Sequence, residues 1–256
     1  MTDTLDDHEG TASIGGRTIT NLRSADDIDG LAGEEEELAR LVEHLDKASI
    51  AYGMKISAEK TKLMTYNTSG VNTEIKVNGQ KLETVTSFKY LGSVITDEGS
   101  KPEILSRIAQ ATAALTRLKP VWNDRSISLS SKIRLTCFFV IFIFPYACES
   151  WTLTEELQRR IQAMEMRCYR KILHILYKDH VANEEVLAKI QRAIGSHEDL
   201  LTTVKRRKLQ WYGHVCRSSG LVKTIFTVKG GRKQCRQRKR WEDNIREWTG
   251  LEFGRS

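Results

Sequence analysis

At Ser100-Lys101-Pro102 the spacing of apolar residues changes from alternation to intervals of three and four, so two kinds of architecture share one chain. Upstream, "TASIGGRTITNLRSADD" alternates around Gly15-Gly16, the composition of a tight hairpin with Ile14 on one strand and Ile19 and Leu22 on the other. "KTKLMTYNT", "TEIKVNGQKLE" and "VTSFKYLGSVIT" read as short strands, with Asn78-Gly79 as the strongest turn signal. One amphipathic helix interrupts them, its stripe formed by Leu38, Leu41, Val42, Leu45, Ala48 and Tyr52. Glu34 to Glu37 fill its first turn, where the helix dipole favours negative charge, and Gly53 suits its end.

Downstream, Pro102 suits the first turn of a helix striped by Ile104, Ile108, Ala111, Leu115 and Leu118. A second stripe runs through Leu157, Ile161, Met164, Cys168, Ile172 and Ile175. Further helices are expected over Ser130 to Ala147, Asn183 to Ala193, His197 to Val215 and Gln234 to Trp248. The expected fold class is therefore α+β, hairpins with one helix followed by a mostly helical region. Trp151 and Trp211 are expected as core anchors.

Charge is distributed unevenly. Acids outnumber bases from Met1 to Ile50, whereas Lys205 to Arg240 holds no Asp or Glu and interleaves Trp211 and Tyr212 among its cations. A solvated basic helix face ordinarily carries compensating acids, so this segment points to a polyanion, here nucleic acid. Five widely spaced cysteines without a CxxC indicate neither a disulfide framework nor a disulfide-linked partner, and fit a reducing, intracellular setting in cytoplasm or nucleus. "CFFVIFIFPYAC" is too short to span a bilayer and reads as a buried helix or strand, so no membrane partner is expected. The opening "MTDTLDDHEG" is acidic and polar, unlike a secretion signal.

The stretch "TNLRSADDIDGLAG" offers a chemical motif. Neighbouring side chains on a strand point to opposite faces, so Asp26 and Asp27 can share an ion only where the strand bends or ends. Such a pair suits Mg²⁺, which takes oxygen ligands and leaves positions for water and phosphate. The same acids also satisfy helix-start preferences without any metal.

Taken in order, "SIGGRTITNLRSADDIDGLAG", "AYGMKISAEKTKLM", "FKYLGSVIT", "YACESWTL" and "RRKLQWYGHVCRSSG" resemble the reverse transcriptase of non-LTR (LINE-type) retrotransposons, particularly the RTE-like branch, across essentially the whole chain. The resemblance implies an Mg²⁺-dependent RNA-directed DNA polymerase that works on a template-primer duplex of RNA and DNA. By it, Asp26 binds the catalytic Mg²⁺ with Asp27 in support, and Lys60 helps protonate pyrophosphate or order the triphosphate. Phe88, Lys89, Tyr90 and Gly92 of "FKYLG" fall on the primer grip. It divides the chain into the end of a palm over residues 1–100, a helical thumb-like region over 101–195 and a basic nucleic-acid-binding region over 196–256. Contacts to nucleic acid are expected from Lys205, Arg206, Arg207, Lys208, Arg217, Arg232, Lys233, Arg236, Arg238 and Arg240.

The chain departs from the family at Ser24, where an aromatic residue ordinarily packs beneath the catalytic turn. The fingers and the palm strand bearing the other metal-binding Asp are expected to be missing, and Asp3, Asp6 and Asp7 lack the apolar strand needed to replace it. The expectation is a truncated reverse transcriptase that is inactive alone, or completed in trans by another polymerase fragment, and that retains nucleic-acid binding. The alternative is a non-enzymatic nucleic-acid-binding or interaction protein derived from the element. Zinc is not indicated, since neither Cys168, His174 and His180 nor His214 and Cys216 have a recognised ligand spacing.

Overall fold

The computed structural model describes residues 10–14, 16–65, 74–227 and 239–250. Expectations that fall on Asp3, Asp6, Asp7, Gly15, the end of "KTKLMTYNT", and Gln234 to Arg238 lie outside the described residues. The chain divides into two units, Met1–Asp97 with Ser219–Arg232, and Glu98–Ser218 with Lys233–Ser256. Mixed helix and short strands make the fold α+β.

Turn chemistry organises the first unit. Strands β1 (Ser13–Ile14) and β2 (Arg17–Thr18) pair antiparallel beside Gly16, whose φ of 78° favours a residue without a Cβ. The next hairpin joins β3 (Asn21–Ser24) to β4 (Asp27–Gly30), with Ser24 opposite Asp27. Leu22 thus sits on β3 rather than on the second strand of the first hairpin, and it is exposed. Helix α1 (Glu35–Ala51) buries Leu41, Leu45 and Ala48. Its stripe stops there: Tyr52 lies past the last helical residue and is 66% exposed.

Glu37 does more than complement the dipole of α1. It is buried, and its carboxylate accepts the Thr11 N–H at 2.8 Å, the Gly33 N–H at 3.3 Å and the Thr11 hydroxyl. A buried charge is tolerated because these donors satisfy it.

Beyond α1, β5 (Lys62–Leu63) pairs in parallel with β8 (Glu83–Thr84), and between them β6 (Lys76–Val77) and β7 (Gln80–Lys81) form a hairpin. Asn78 (φ 50°) and Gly79 (φ 76°) turn that hairpin in the left-handed conformation that two-residue loops require. Leu63, Ile75, Val77 and Leu82 form a small core against Leu38, Val42 and Ile56. A last hairpin, β9 (Ser87–Tyr90) to β10 (Ser93–Thr96), turns on Leu91 (φ 46°) and Gly92 (φ 83°).

The second unit is a helical bundle of α2 (Lys101–Arg117), α3 (Lys119–Asn123), α4 (Leu129–Ile143), α5 (Glu155–Ile172), α6 (Asn183–Ile194), α7 (Leu200–Arg217) and, after α8 (Leu221–Thr227) of the first unit, α9 (Trp241–Thr249). Side-chain caps start three of them: Ser128 accepts from the Ser131 N–H, Thr154 from Leu157 and Asp199 from Thr202. One continuous core contains Ile104, Leu115, Ile133, Phe144, Trp151, Ile161, Val186 and Val204. The predicted stripes face it, Leu157, Ile161, Met164, Cys168 and Ile172 being buried on α5.

The apolar run after Cys137 is partly helix. Helix α4 ends at Ile143, ahead of Pro145, which has no N–H to continue the ladder. Phe144 and Cys148 are buried, but Phe138 is 56% exposed, against the expectation of burial. No described helix is long and apolar enough to cross a membrane. The last helix, expected from Gln234, is seen from Trp241 to Thr249.

Candidate acidic hairpin and basic interface

Strand alternation decides which carboxylates meet. Asp26 lies in the β3–β4 turn and Asp27 is the first residue of β4; both are exposed. Residues two apart on a strand share a face, so Asp27 and Asp29 lie together, and the charge of Asp27 is felt at Asp29. Burial pushes the Asp29 carboxyl above its ordinary range; a hydrogen bond from the Tyr90 hydroxyl opposes this and the Asp27 charge adds to it. Tyr90 itself is raised, through desolvation first and then its bond to Asp29. The acidic hairpin and the Phe88-Lys89-Tyr90 hairpin thus meet at Asp29, a residue the sequence reading passed over. The D-x-D alternation of Asp27 and Asp29 was the signal that could have found it.

The turn carries backbone strain as well. Ala25 has a φ of 55°, a region that costs an L-residue about 1–2 kcal/mol, in the loop between Ser24 and Asp27. On β9, Phe88 and Tyr90 are half-buried and Lys89 points the other way into solvent, as alternation requires. Lys60 lies in an exposed turn before β5 and makes no ion pair among the described residues.

The Asp29–Tyr90 contact yields a prediction. Tyr90→Phe removes the opposing hydrogen bond and moves the Asp29 titration upward, whereas Asp27→Asn removes a repelling charge and moves it downward. Carboxyl-detected NMR titration reads both shifts, and an Asp29 midpoint indifferent to both changes would disprove the contact.

The basic segment fares unevenly. Arg217 and Arg240 are exposed, and Arg206 is exposed but held by Glu198 at 3.0 Å. Arg207 is half-buried and donates to the Pro145 carbonyl at 3.4 Å, while the Lys205 ammonium lies 5.2 Å from the centre of the Trp248 ring. Arg232, Lys233, Arg236 and Arg238 lie outside the described residues.

Lys208 is a correction. Expected to contact nucleic acid, it is fully buried, donating to the Trp151 carbonyl and to Asn244 Oδ1 at 3.0 Å, with its ammonium 4.5 Å from the Trp241 ring centre. Helical period explains this, because Val204, Lys208 and Val215 share the inward face of α7. Burial, with the nearby Lys239 charge, pushes its pKa down to about 7. Asn244 completes the arrangement by accepting the Leu153 N–H at 2.7 Å and donating to the Leu153 carbonyl at 2.8 Å. Trp151 is buried, packed edge-to-face with Phe144, and Trp211 is half-buried, edge-to-face with Trp241.

A second polar cluster lies between α4, α5 and α7. Glu165, buried, accepts the Leu200 N–H at 3.1 Å and the Tyr169 hydroxyl at 2.9 Å, and that hydroxyl lies 2.9 Å from His197 Nε2. Burial raises the Glu165 carboxyl despite both bonds and pushes the Cys168 thiol up to about 12. Cys168 is thus an unreactive core residue, and His174 and His180 are exposed at the surface.

A protein of Caenorhabditis elegans described as transposon-derived is 28% identical to this chain over 245 residues, which is 91% of this chain and 86% of that protein. The chain therefore has a distant relative of transposon origin. No family model matches the chain, and no solved structure matches it significantly.

Proposed function

We propose that this chain is a nucleic-acid-binding protein descended from the reverse transcriptase of a LINE-type non-LTR retrotransposon. The observation that carries the binding function is the acid-free run from Lys205 to Arg240 in a chain of net charge +7. The ordered motif series supports the ancestry, as does the transposon origin of the C. elegans relative. The meeting of the two hairpins through Asp29 and Tyr90 adds a physical link between the Asp-Asp turn and the grip motif.

Polymerization is the activity of that family and the rival reading here. Two exposed carboxylates on a hairpin fit a hydrated Mg²⁺ site completed by phosphate oxygens, whereas Asp29 is engaged by Tyr90. Mg²⁺ held by Asp26 and Asp27 would supply charge neutralisation to a transferring phosphate. Metal-dependent primer extension by the purified chain, lost in Asp26→Ala, would establish the enzyme; the binding function predicts none.

The binding function has its own test. Affinity for nucleic acid should fall steeply with salt, and neutralising Lys205, Arg217 and Arg240 together should lower the log–log slope by about 2 to 3. An affinity indifferent to salt, or no affinity at low salt, would refute it.

A further inference from the structure

An open groove of about 960 Å³ runs along α5, the turn after it and the start of α6. We propose that it binds single-stranded nucleic acid, as a second site apart from the Lys205 to Arg240 segment. The proposal rests on the nucleic-acid-binding function above and places a further contact on different residues.

Four cations, Arg159, Arg167, Arg170 and Lys171, line the groove, and no Asp or Glu does. From Arg159 to Arg170 they extend about 16 Å along the helix axis, a track rather than a point. A solvated basic face is ordinarily balanced at four-residue spacing, and the first turn of α5 is balanced in this way, Arg159 by Glu155 and Arg160 by Glu156. Arg167, midway along the track, is exposed and has no ion pair among the described residues. Arg170 is spent on structure, donating to the Val181 carbonyl at 2.7 Å and to Asn183 at 2.9 Å, which fastens the far wall of the groove.

The remaining walls suit bases. Met166, Ile175 and Val181 supply apolar surface between the cations. Tyr177 stands 94% exposed, with its ring centre 6.0 Å from that of His180. The turn that presents it is strained at both ends, His174 and His180 taking φ of 53° and 47°. Exposed aromatic rings beside a cationic track are the pattern by which proteins hold unpaired strands, phosphates along the charges and bases on the rings. A duplex keeps its bases stacked inside and cannot use such rings. On α7, Lys208 is buried and Arg206 is paired with Glu198, whereas along the groove Arg167 is exposed without an ion pair among the described residues and Tyr177 is exposed, while the Lys171 ammonium donates to Thr116 Oγ1 at 3.1 Å.

The test is fluorescence anisotropy on the full chain with a labelled oligothymidylate and a duplex of equal length, over a range of salt. Arg159→Gln combined with Arg167→Gln should weaken single-strand binding at least tenfold at low salt and lower the salt slope by about 1.4. Tyr177→Ala should weaken single-strand binding about tenfold and leave duplex binding unchanged. All three positions are exposed, so melting temperatures should match the wild type. If the wild type binds and these variants bind as it does, the groove is refuted while the binding function stands. If the wild type binds neither probe, both fall.

Discussion

Lys208→Met should abolish a rise in stability expected of the wild-type protein between pH 7 and 8.5. The folded-state pKa of Lys208 is lowered from 10.5 to about 7, so over this interval the folded chain gives up a proton that the unfolded chain keeps. Stability then rises with pH, by roughly 1.5 kcal/mol across the interval, because the unfolded state binds more protons. The interval stops below the cysteine range for a reason. Cys148 and Cys168 are pushed up to about 12 by burial, so above about pH 9 their thiols ionise in the unfolded chain first and turn the slope downward. At pH 7 the methionine variant also leaves the Trp151 carbonyl without its donor, at a cost of about 1–3 kcal/mol. Urea unfolding of both proteins at several pH values measures the effect. Parallel profiles would show that Lys208 is not a buried ammonium.

Glu165→Ala should be among the most destabilising single changes in the helical unit, by about 3–4 kcal/mol, because it leaves the Leu200 N–H and the Tyr169 hydroxyl without an acceptor and opens a cavity. Glu165→Gln keeps an oxygen for both donors and removes the buried charge, so it should stay within about 1 kcal/mol of the wild type near neutral pH. The pH dependence separates the two. Burial holds the Glu165 pKa above its ordinary 4.5, so the folded chain keeps a proton that the unfolded chain has lost. Wild-type stability therefore falls as pH rises from 4.5 through the folded value, and the glutamine variant lacks this component. Equal losses for alanine and glutamine, measured by denaturant unfolding, would place Glu165 outside the network.

Much of the fold was legible because it depends on local rules. Pro102, the Asn78-Gly79 turn and the stripes of α1, α2 and α5 each mark an element through backbone geometry or period alone. What misled the reading were side chains whose chemistry runs against their position. Lys208, expected at a phosphate, is buried, and Glu37 stands in the first turn of α1 as the dipole favours but is buried and hydrogen-bonded as well. A charged residue on the inward face of a helix has no sequence signature apart from its register with apolar neighbours, and one such coincidence is weak. Asp29 was missed for a related reason, since its partner Tyr90 lies on a different hairpin.

The sequence by itself determined that hairpins with one helix precede a mostly helical region, where the turns fall, and that the second half is basic enough to seek a polyanion, because period, turn chemistry and charge are local quantities. Only the tertiary structure decided which charges remain on the surface. Burial of Lys208 against Trp241 and Asn244, pairing of Arg206 with Glu198, and the exposure of Arg167 along the groove depend on which helix faces meet. Desolvation is a property of neighbours brought together by folding, and adjacency along the chain does not report it.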